Sequence, residues 1–476
     1  MKLAIVGGGW AGLSAAAAAV RLGHDTHLYE SAATLGGRAR SVHAPALDTE
    51  IDNGQHILLG AYSATLALMR VLGLDPSRHF IRLPLSVRSA DGRIRVQAFA
   101  GLPAPLHIAA GLMVAKGLNW KEKRAIARAI TALRRHDWTV PRAATVQDWL
   151  SLTLQPARVR ELLWIPLCIA TLNTPADRAC GQLFANVLRD SLGSARRDAS
   201  EILIPRTGLT ELWPTTLQAL ARRGELGRAS GGRLDIRLST TIRALRYAER
   251  DASHDDGSVT VGMDRTVDTA GLILDGHRER YDAVVLCGNT PSTARLLSTL
   301  PKRPGDTDFV ERLDAFEHAP IGTLTLQLNR PFKLPAPMLL LHEDRARKHF
   351  GQWVFQGQDA ESRLLHVVVS DAGTMMQADR SAAVTGMIAQ LQEQLRGASL
   401  PAVTRHALIV EKRATFLSVP GLRRPGNRTP WRGVWVAGDW TDTGYPAVLE
   451  GAVRSGQAAI QEIHAAAASA LERVGP

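Results

Sequence analysis

Alternation of apolar runs with small-residue and polar stretches predicts strand–helix units at both ends of the chain. Residues 2–6 (KLAIV) and 26–29 predict two strands on either side of a helix at 13–22. Near the other end, residues 433–437 (GVWVA) predict a strand, and residues 447–466, which begin AVLEGAVRSG, predict a helix. Strands that alternate with helices are typical of parallel sheets, so an α/β fold is predicted.

Glycines occupy the turn between the first strand and the first helix. Gly7, Gly9 and Gly12 have GxGxxG spacing, and Glu30 ends the second strand. Glycines let the backbone approach a pyrophosphate, the helix N-terminus faces its negative charge, and an acid at this distance accepts from ribose hydroxyls. This set predicts a dinucleotide site, and the alternative is an ordinary tight turn.

The interior of the chain mixes helical and strand periodicity. Apolar spacing predicts a largely helical region at 76–204, a helix at 205–220, strands at 235–239 and 281–286, a strand pair within 259–274, and further strands within 301–424. This mixture predicts a second, α+β part beside the α/β part.

A second glycine pair narrows the type of dinucleotide. Gly36, Gly37 and Arg38 follow the second strand, and this pattern suits close approach to a phosphate and a charge-assisted contact with it. At the other end, Gly438 and Asp439 follow the predicted strand. Together these motifs are similar to those of the GG-doublet flavoprotein superfamily, which includes amine oxidases, protoporphyrinogen oxidase and carotenoid desaturases.

The resemblance implies FAD as the cofactor. It implies that Gly438 and Asp439 hold the pyrophosphate and ribityl chain, and that Ile242 touches the adenine. It also implies a fold of two parts: a Rossmann-like FAD-binding domain built from the discontinuous segments 1–75, 205–300 and 425–476, and an α+β substrate-binding domain with a helical part, built from 76–204 and 301–424.

The positions of the cysteines and the apolar runs along the chain predict where in the cell the protein is found. Cys168, Cys180 and Cys287 stand at no spacing typical of a metal or redox site, so we expect no metal. Because no cysteine lies near the C-terminal motif, we expect FAD to be bound non-covalently. The strand predicted at residue 2 leaves no room for a signal peptide, and no apolar run reaches the roughly 18 residues that span a bilayer. These features predict a cytoplasmic protein.

The charge balance points to an anionic partner. The net charge is +12, and an apolar stretch at 102–115 precedes a basic cluster. The cluster consists of Lys121, Lys123, Arg124, Arg128, Arg134 and Arg135. We expect a helical, membrane-facing part near 102–135 that binds peripherally to the inner face of the cell membrane. The alternative is a core helix followed by a solvated one. No motif for nucleic-acid recognition is present, so no nucleic-acid partner is expected.

Two segments indicate a narrower family. Residues 52–62 (DNGQHILLGAY) and 438–456 (GDWTDTGYPAVLEGAVRSG) closely resemble the hydroxysqualene dehydroxylase family of bacterial hopanoid synthesis. The resemblance implies that Gly54 and Gln55 lie against the flavin. It implies reductive removal of an allylic hydroxyl from hydroxysqualene, a long isoprenoid, to give squalene, with an external electron donor that reduces the flavin.

The chemistry of such a reaction predicts a proton donor. An allylic C–O bond breaks more easily when the departing hydroxyl is protonated and bulk water is excluded. His56 is the candidate acid, with Asp52 as its orienting partner; the alternative is that both residues only shape a loop. Trp440 and Tyr445 are candidates for the flavin face.

Three other functions remain open from the sequence. A carotenoid desaturase of the phytoene type would run hydride transfer in the oxidative direction on a similar polyene. An amine oxidase is disfavoured, because paired aromatic residues at the flavin site are not found in the sequence. A non-catalytic, lipid-binding protein with a flavin fold is disfavoured by the intact glycine motifs at both ends.

Overall fold

A computed structural model describes residues 1–141, 143–247, 272–274, 279–357, 362–395 and 399–472. The strands of this part of the chain are β1 (Lys2–Val6), β2 (Asp25–Tyr29), β3 (Ser41–Ala44), β4 (Thr49–Asp52), β5 (Leu58–Leu59), β6 (Phe80–Leu83), β7 (Ser86–Arg88), β8 (Arg95–Gln97), β9 (Ile202–Pro205), β10 (Arg233–Arg237), β11 (Leu245–Tyr247), β12 (Leu272–Leu274), β13 (Arg280–Tyr281), β14 (Ala283–Leu286), β15 (His318–Leu328), β16 (Met338–Leu340), β17 (Trp353–Gln356), β18 (Leu364–Ser370), β19 (Val403–Phe416) and β20 (Val434–Val436).

The α-helices of the same residues are α1 (Trp10–Arg21), α2 (Ser63–Val71), α3 (Pro76–His79), α4 (Leu106–Met113), α5 (Trp120–Arg135), α6 (Val146–Leu152), α7 (Ala157–Val159), α8 (Ile165–Leu172), α9 (Gly181–Leu188), α10 (Trp213–Arg222), α11 (Thr290–Leu297), α12 (Asp306–Asp314), α13 (Gly373–Gln377), α14 (Arg380–Gln394) and α15 (Leu449–Glu472). Within this part of the chain, none of these helices combines the length and the apolar character that crossing a bilayer requires.

A five-stranded parallel sheet forms the first layer, in the order β10-β2-β1-β14-β20. Its central strand β1 pairs along its length with β2 and β14. The outer strands β10 and β20 come from the middle and the far end of the chain. The α/β fold predicted from the terminal strand–helix units is therefore confirmed, and the parallel sheet brings those two ends together.

Close packing of two helices covers one face of this sheet. A Cβ on Gly456 of α15 would lie 2.2 Å from the carbonyl oxygen of Ala11 in α1, so only glycine fits there. Ser14 of α1 donates to the carbonyl of Val453 at 2.9 Å. The glycine inside the C-terminal helix thus allows contact with the helix that follows the first glycine turn.

Several element boundaries differ from those predicted. The helix predicted at 13–22 begins at Trp10, because Gly9 in extended conformation is its N-cap. The helix predicted from 205 begins at Trp213, since residues 202–205 form β9, which pairs with β5 and β6. Of the strand pair predicted within 259–274, only β12 lies in the described residues; the rest of that prediction falls outside them.

A five-stranded antiparallel sheet forms the second layer, in the order β16-β17-β18-β15-β19. The alternation predicted in β15 is present: Leu324, Leu326 and Leu328 are buried on one face. The intervening Thr323 lies on the other face, as does Val368 of β18, which pairs with it. This second face forms a wall of a large cavity.

Helices α4 to α9 pack beside the antiparallel sheet. Trp149, Trp164 and Phe184 meet edge to face with ring centroids 5.3 to 6.3 Å apart. Two π-helical turns, at Arg160–Trp164 and Arg189–Gly193, interrupt this helical region. Such turns are often found at functional sites.

Clusters of buried side chains bear on the proposed domain boundaries. One cluster joins helices of the 76–204 segment to strands β16, β17 and β18, as expected for a substrate-binding domain. Phe309 and Leu313 of α12, however, pack with Trp431 and Val436 beside the parallel sheet. We therefore propose the same two domains, with the second part of the substrate-binding domain starting after α12 rather than at residue 301.

Candidate active site

A cavity of about 880 Å³ lies between the two large sheets. Its walls include Gly7, Gly288 and Gly438, which follow strands β1, β14 and β20 at their carboxyl ends. Ligands of parallel α/β sheets bind at this edge, where loops from neighbouring strands meet. Thr323 and Val368 of the antiparallel sheet line the opposite wall.

The two glycine motifs form a tight cradle at one end of the cavity. Gly36 donates its N–H to the carbonyl of Gly8 at 2.9 Å, and a Cβ on Gly37 would lie 2.9 Å from the Cα of Gly9. Gly36 and Gly37 have φ angles of 111° and 63°, in the region that favours glycine. The cradle leaves room for a phosphate-bearing ligand close to the backbone.

Gly12 belongs to the motif but does not line the cavity. A Cβ at this position would lie 1.9 Å from the carbonyl oxygen of Gly7. Its role is therefore the close packing of α1 against the glycine turn, which is the known role of the third glycine in this fingerprint. The expected direct contact between Gly12 and the cofactor is not supported by this position.

Glu30 organises the turn at the carboxyl end of β2. Its carboxylate accepts from the N–H groups of Gly8 at 2.6 Å and Ala32 at 2.7 Å, and from the Ser31 hydroxyl. Ile242 lines the same end of the cavity. Both predicted residues thus line the same cavity as the glycine cradle.

The loop after β14 contributes cavity residues that the sequence analysis missed. Asn289 caps α11 by accepting from the Ser292 N–H at 3.0 Å. The hydroxyl of Thr293, which lines the cavity, is buried without a hydrogen-bond partner among the described residues. A polar ligand atom at this third strand end would satisfy the hydroxyl. The sequence signal was the pair Gly288-Asn289 directly after an apolar run.

Arg38 and Asp439 form an ion pair across the cavity wall. The Nη2 atom of Arg38 lies 2.7 Å from Oδ1 of Asp439, and Nη1 donates to the carbonyl of Ala414 at 2.6 Å. The Asp439 side chain is buried, whereas that of Arg38 is 39 % exposed. The structure therefore brings together residues that the sequence analysis assigned separately to phosphate and ribityl contacts.

His56 lies on the cavity wall, in the loop between β4 and β5, together with Gly54 and Gln55. Its Nδ1 is 3.1 Å from the carbonyl oxygen of Gly54. A carbonyl only accepts, so Nδ1 carries the hydrogen and Nε2 is the atom that gains or loses a proton. Burial lowers the pKa of His56, although the Asp52 charge opposes that shift.

Asp52 does not line the cavity. Its Oδ1 accepts from the Ser41 hydroxyl at 2.8 Å and from the N–H of Leu209 at 3.0 Å. Burial raises the pKa of Asp52. The predicted orienting contact with His56 is thus supplied by the Gly54 carbonyl, while Asp52 acts on His56 through its charge.

Arg424 organises the loop that follows β20, and the sequence analysis missed it. Its guanidinium donates to the carbonyls of Asp439, Trp440, Thr441 and Tyr445. Burial lowers its pKa to about 10. A buried cation that binds several carbonyls of one loop fixes the shape of that loop, and hence the positions of Asp439 and Tyr445 on the cavity wall.

Trp440 does not face the cavity, contrary to expectation. Its indole N–H donates to the carbonyl of Gly288 at 3.0 Å, and its ring packs against Phe316. It therefore links the loops after β14 and β20. Tyr445, the other aromatic candidate, does line the cavity.

Relatives of known activity align over nearly the whole chain. A hydroxysqualene dehydroxylase of Rhodopseudomonas palustris is 28 % identical over 97 % of this chain and 98 % of its own. A hydroxysqualene dehydroxylase of Zymomonas mobilis is 26 % identical, with 96 % and 97 % covered. A 15-cis-phytoene desaturase of Solanum lycopersicum is 22 % identical over 97 % of this chain and 77 % of its own.

Solved structures share the fold. A putative protoporphyrinogen oxidase from Exiguobacterium superposes with a TM-score of 0.63 at 18 % identity, covering 97 % of this chain and 98 % of its own. Cyclohexylamine oxidase from Brevibacterium oxydans gives 0.63 at 16 % identity, with 97 % and 98 % covered. The model of the flavin-containing amine oxidoreductase family matches residues 10–464. The chain therefore belongs to the flavin-containing amine oxidoreductase family and is a flavin-dependent oxidoreductase.

Proposed function

We propose that this chain binds FAD non-covalently and uses it, once reduced, to remove the hydroxyl of hydroxysqualene and give squalene. The observation that carries the proposal is the alignment with hydroxysqualene dehydroxylases over almost the full length of the chain. The cavity adds support, because it combines a dinucleotide cradle with the loop that bears His56.

The cavity favours FAD over a smaller flavin. The features that suit a dinucleotide are the glycine cradle, Glu30 and the Thr293 hydroxyl, which has no hydrogen-bond partner among the described residues; all of them line the cavity. We propose these cofactor contacts: Gly7, Gly9, Glu30, Gly36, Gly37, Arg38, Gly54, Gln55, Ile242, Thr293, Gly438 and Asp439, with Gly12 supporting the turn. A flavin without the adenosine half would leave part of this cavity without a ligand.

Among the described residues, Cys287 is the one cysteine that lines the cavity, and its position supports non-covalent binding of the flavin. Cys287 lies behind the first glycine turn: its Cβ would be 3.4 Å from a Cβ on Gly7 or Gly12. Burial raises the pKa of its thiol. The thiolate that a covalent link would need is therefore disfavoured, and the thiol instead donates to the Val285 carbonyl at 3.8 Å.

His56 is the proposed proton donor to the departing hydroxyl. With Nδ1 held by the Gly54 carbonyl, only the doubly protonated ring can donate from Nε2. The charge of Asp52 favours that protonated form. Heterolysis of the C–O bond sends its electron pair to oxygen, and the proton from Nε2 makes that oxygen water. Reduced flavin, when bound, would supply hydride to the carbon, and an external reductant would be needed to restore it.

A carotenoid desaturase is the second candidate, because the tomato phytoene desaturase also aligns with 97 % of this chain. Both reactions act on long polyenes and need an apolar cavity from which water is excluded. They differ in direction: a desaturase removes two hydrogens, whereas a dehydroxylase removes one oxygen.

The surface near 102–135 supports binding to an anionic membrane. Four apolar side chains of this segment are strongly exposed, and so are two at the end of α6. We call these six residues the apolar patch: Leu106, Met113, Val114, Trp120, Leu152 and Leu154. Gln155 ties the last two to α5 by donating to the carbonyl of Ala125 at 3.0 Å. The exposed bases Lys121, Arg124 and Arg128 flank the patch on α5. Apolar side chains beside basic ones suit insertion into the headgroup region, with peripheral attachment at the inner face of the cell membrane.

The experiment uses the purified holoprotein under anaerobic conditions. Flavin reduced with dithionite is mixed with hydroxysqualene, and the products are analysed by mass spectrometry. We expect squalene, with one oxygen lost. In parallel, oxidised holoprotein is incubated with phytoene and a quinone acceptor. Loss of two hydrogens from phytoene, without any squalene from hydroxysqualene, would establish the desaturase instead. Acid precipitation should release the flavin as FAD into the supernatant.

A further inference from the structure

The cavity contains a second polar cluster, on elements other than the His56 loop. Tyr62, Asp190 and Tyr445 all line the cavity. They come from three separate places: the residue before α2, the π-helical turn after α9, and the loop before α15. We call these three residues the tyrosine–aspartate cluster. Tyr62 ends the segment 52–62 that carries the family resemblance, whereas Asp190 stands in no motif singled out above.

The three residues act on one another directly. Asp190 interacts with the hydroxyl of Tyr445, and Tyr62 lies within electrostatic range of both. Burial raises the pKa of Tyr62 and of Tyr445, and the nearby carboxylates raise both further. Both phenols therefore keep their protons at neutral pH and are available as hydrogen-bond donors, beside a carboxylate that accepts.

Neighbouring residues hold the cluster in place. Asn186 of α9 donates to the carbonyl of Gly444 at 2.9 Å, which fixes α9 against the loop that bears Tyr445. The guanidinium of Arg454 lies 5.1 Å from the centre of the Tyr445 ring. Arg189 donates to Oδ1 of Asp190 at 2.8 Å. The positions of Asp190 and Tyr445 are thus set before any substrate binds.

The α2 end of the cluster is fixed by a buried carboxylate. Glu450 of α15 accepts from the N–H groups of Ala64 and Thr65 at 2.9 Å each, so it caps α2 from another helix. Its side chain has no solvent exposure. This cap sets the start of α2, and therefore the position of Tyr62 directly before it.

The cluster stands among apolar cavity walls. Apolar residues that line the same cavity include Ile57, Leu59, Val187 and Leu449. A pure hydrocarbon in this cavity would displace water from the two phenols and the carboxylate and offer no hydrogen bond in return. A substrate with a hydroxyl at this point would satisfy them.

We propose that Tyr62, Asp190 and Tyr445 form the subsite that binds the substrate hydroxyl, so that the chain selects a hydroxylated polyene over the corresponding hydrocarbon. The hydroxyl donates to the carboxylate of Asp190 and accepts from a tyrosine hydroxyl. The inference rests on the proposed function, since it deepens the choice of substrate at the same site. It also gives a physical reason why this cavity suits a dehydroxylase better than a desaturase, whose substrate carries no hydroxyl.

The test measures binding rather than turnover. The dissociation constants of hydroxysqualene and squalene for the oxidised holoprotein are determined from the change in flavin absorbance. In the wild type we expect hydroxysqualene to bind about 100-fold more tightly, the range for a hydrogen bond to a charged group. Tyr445→Phe and Asp190→Asn should reduce this ratio to below about tenfold, with little change in the affinity for squalene. Tyr247→Phe, far along the chain in β11, is the matched control and should keep the ratio.

Each outcome decides between specific alternatives. A wild-type ratio near one, or an unchanged ratio in both Asp190→Asn and Tyr445→Phe, overturns the subsite. If one variant fails to hold flavin or to fold, Tyr62→Phe takes its place with the same expectation. A normal ratio in a wild type that makes no squalene would refute the proposed reaction and leave the hydroxyl subsite standing.

Discussion

Arg38 and Asp439 are 401 positions apart in sequence, yet their side chains are joined at 2.7 Å between Nη2 and Oδ1. Each ends a glycine motif at one end of the chain. The ion pair, together with the bond from Arg38 to the Ala414 carbonyl, fixes the two cofactor segments and the edge strand β19 to one another. The cavity wall at this point therefore has a set shape before the cofactor binds.

Replacing either partner of this pair should weaken flavin binding. In Arg38→Lys the charge remains, but a single ammonium cannot reach both Asp439 and the Ala414 carbonyl with the geometry of a guanidinium. Loss of one hydrogen bond to a charged group costs about 1.5–3 kcal/mol, so we expect the dissociation constant for FAD to rise roughly 10- to 150-fold. Titration of apoprotein with FAD measures this. Equal affinity in Arg38→Lys and wild type would contradict a role for the pair.

A side chain added at Gly9 should prevent flavin binding, whereas a side chain added at Gly12 should destabilise the fold. The nearest atom to a Cβ on Gly9 is 3.8 Å away, so Gly9→Val should fold, with its side chain in the space for the pyrophosphate. A Cβ on Gly12 would overlap the Gly7 carbonyl oxygen at 1.9 Å, so Gly12→Ala should destabilise the fold itself. Circular dichroism and the ratio of flavin to protein absorbance separate these results. A Gly9→Val protein with full flavin content would refute the cradle.

The sequence predicted those parts of the site that lie in one continuous motif. Gly7, Gly9, Glu30 and the Gly36-Gly37 pair are found at the cavity because each motif builds a local turn directly after a strand. Their mutual approach follows from parallel pairing of neighbouring strands. The overall α/β fold was predictable for the same reason.

Residues brought in by distant packing were not predictable. Arg424 acts through carbonyls of a loop fifteen or more positions away, and no local pattern distinguishes it from a solvated arginine. Asp190 reaches the cavity because a π-helical turn continues α9. Trp440 directly follows Asp439, which lines the cavity, but its indole N–H donates to the Gly288 carbonyl instead.

Binding to anionic vesicles should depend on the exposed bases of α5. Lys123 donates to the Met113 carbonyl at 2.6 Å, so the variant should leave it intact and replace Lys121, Arg124 and Arg128 by Gln. Each surface base contributes about 1 kcal/mol near an anionic leaflet, so binding should fall about 100-fold at low salt. Co-sedimentation with vesicles that contain phosphatidylglycerol measures this. The control replaces Arg222, Arg223 and Arg228, exposed bases outside this region, and should bind as wild type does.

The apolar patch should matter independently of charge. Trp120 and Leu154 are 60 % and 76 % exposed. Trp120→Ser with Leu154→Ser should weaken binding to vesicles even at high salt, where attraction between charges is screened. If the double variant binds vesicles as tightly as wild type does, the contact is electrostatic only and insertion of the apolar patch is excluded.

Stability should fall on mild acidification because of a buried histidine in the antiparallel sheet. His366 of β18 pairs with the Thr325 hydroxyl at 3.0 Å, and burial lowers its pKa from 6.5 to about 4. Between these values the unfolded chain binds a proton that the folded chain does not, so stability is present above pH 6.5 and is lost as the pH falls. From pH 7 to pH 5 this histidine should cost about 2 kcal/mol. Urea denaturation measures the free energy of unfolding at pH 7 and at pH 5. Between these pH values His366→Gln should lose less of this free energy than wild type, by that amount, whereas the surface replacement His43→Gln should lose as much as wild type.

The pH dependence of the reaction tests His56. Only the protonated ring can donate from Nε2, and burial lowers its pKa below 6.5, so this form becomes more populated as the pH falls below neutral. Turnover of hydroxysqualene by prereduced holoprotein should therefore rise as the pH falls from 8 to 6. His56→Ala should remove this rise and slow turnover by roughly 100-fold or more, the usual contribution of a general acid, with flavin still bound.

Asp52→Asn gives a sharper form of the same test. The asparagine carbonyl can still accept from Ser41 and from the Leu209 N–H, so the loop should keep its shape. Loss of the negative charge removes the interaction that favours the protonated ring, so the pKa of His56 should fall further. The rise in turnover should accordingly move to lower pH while the rate at the acid limit stays near that of wild type. Stopped-flow reoxidation of the flavin measures both profiles. Two results would contradict this role: a pH profile of Asp52→Asn that matches that of wild type, or a turnover rate of His56→Ala within a few-fold of the wild-type rate. Either result would show that the two residues have a structural role only.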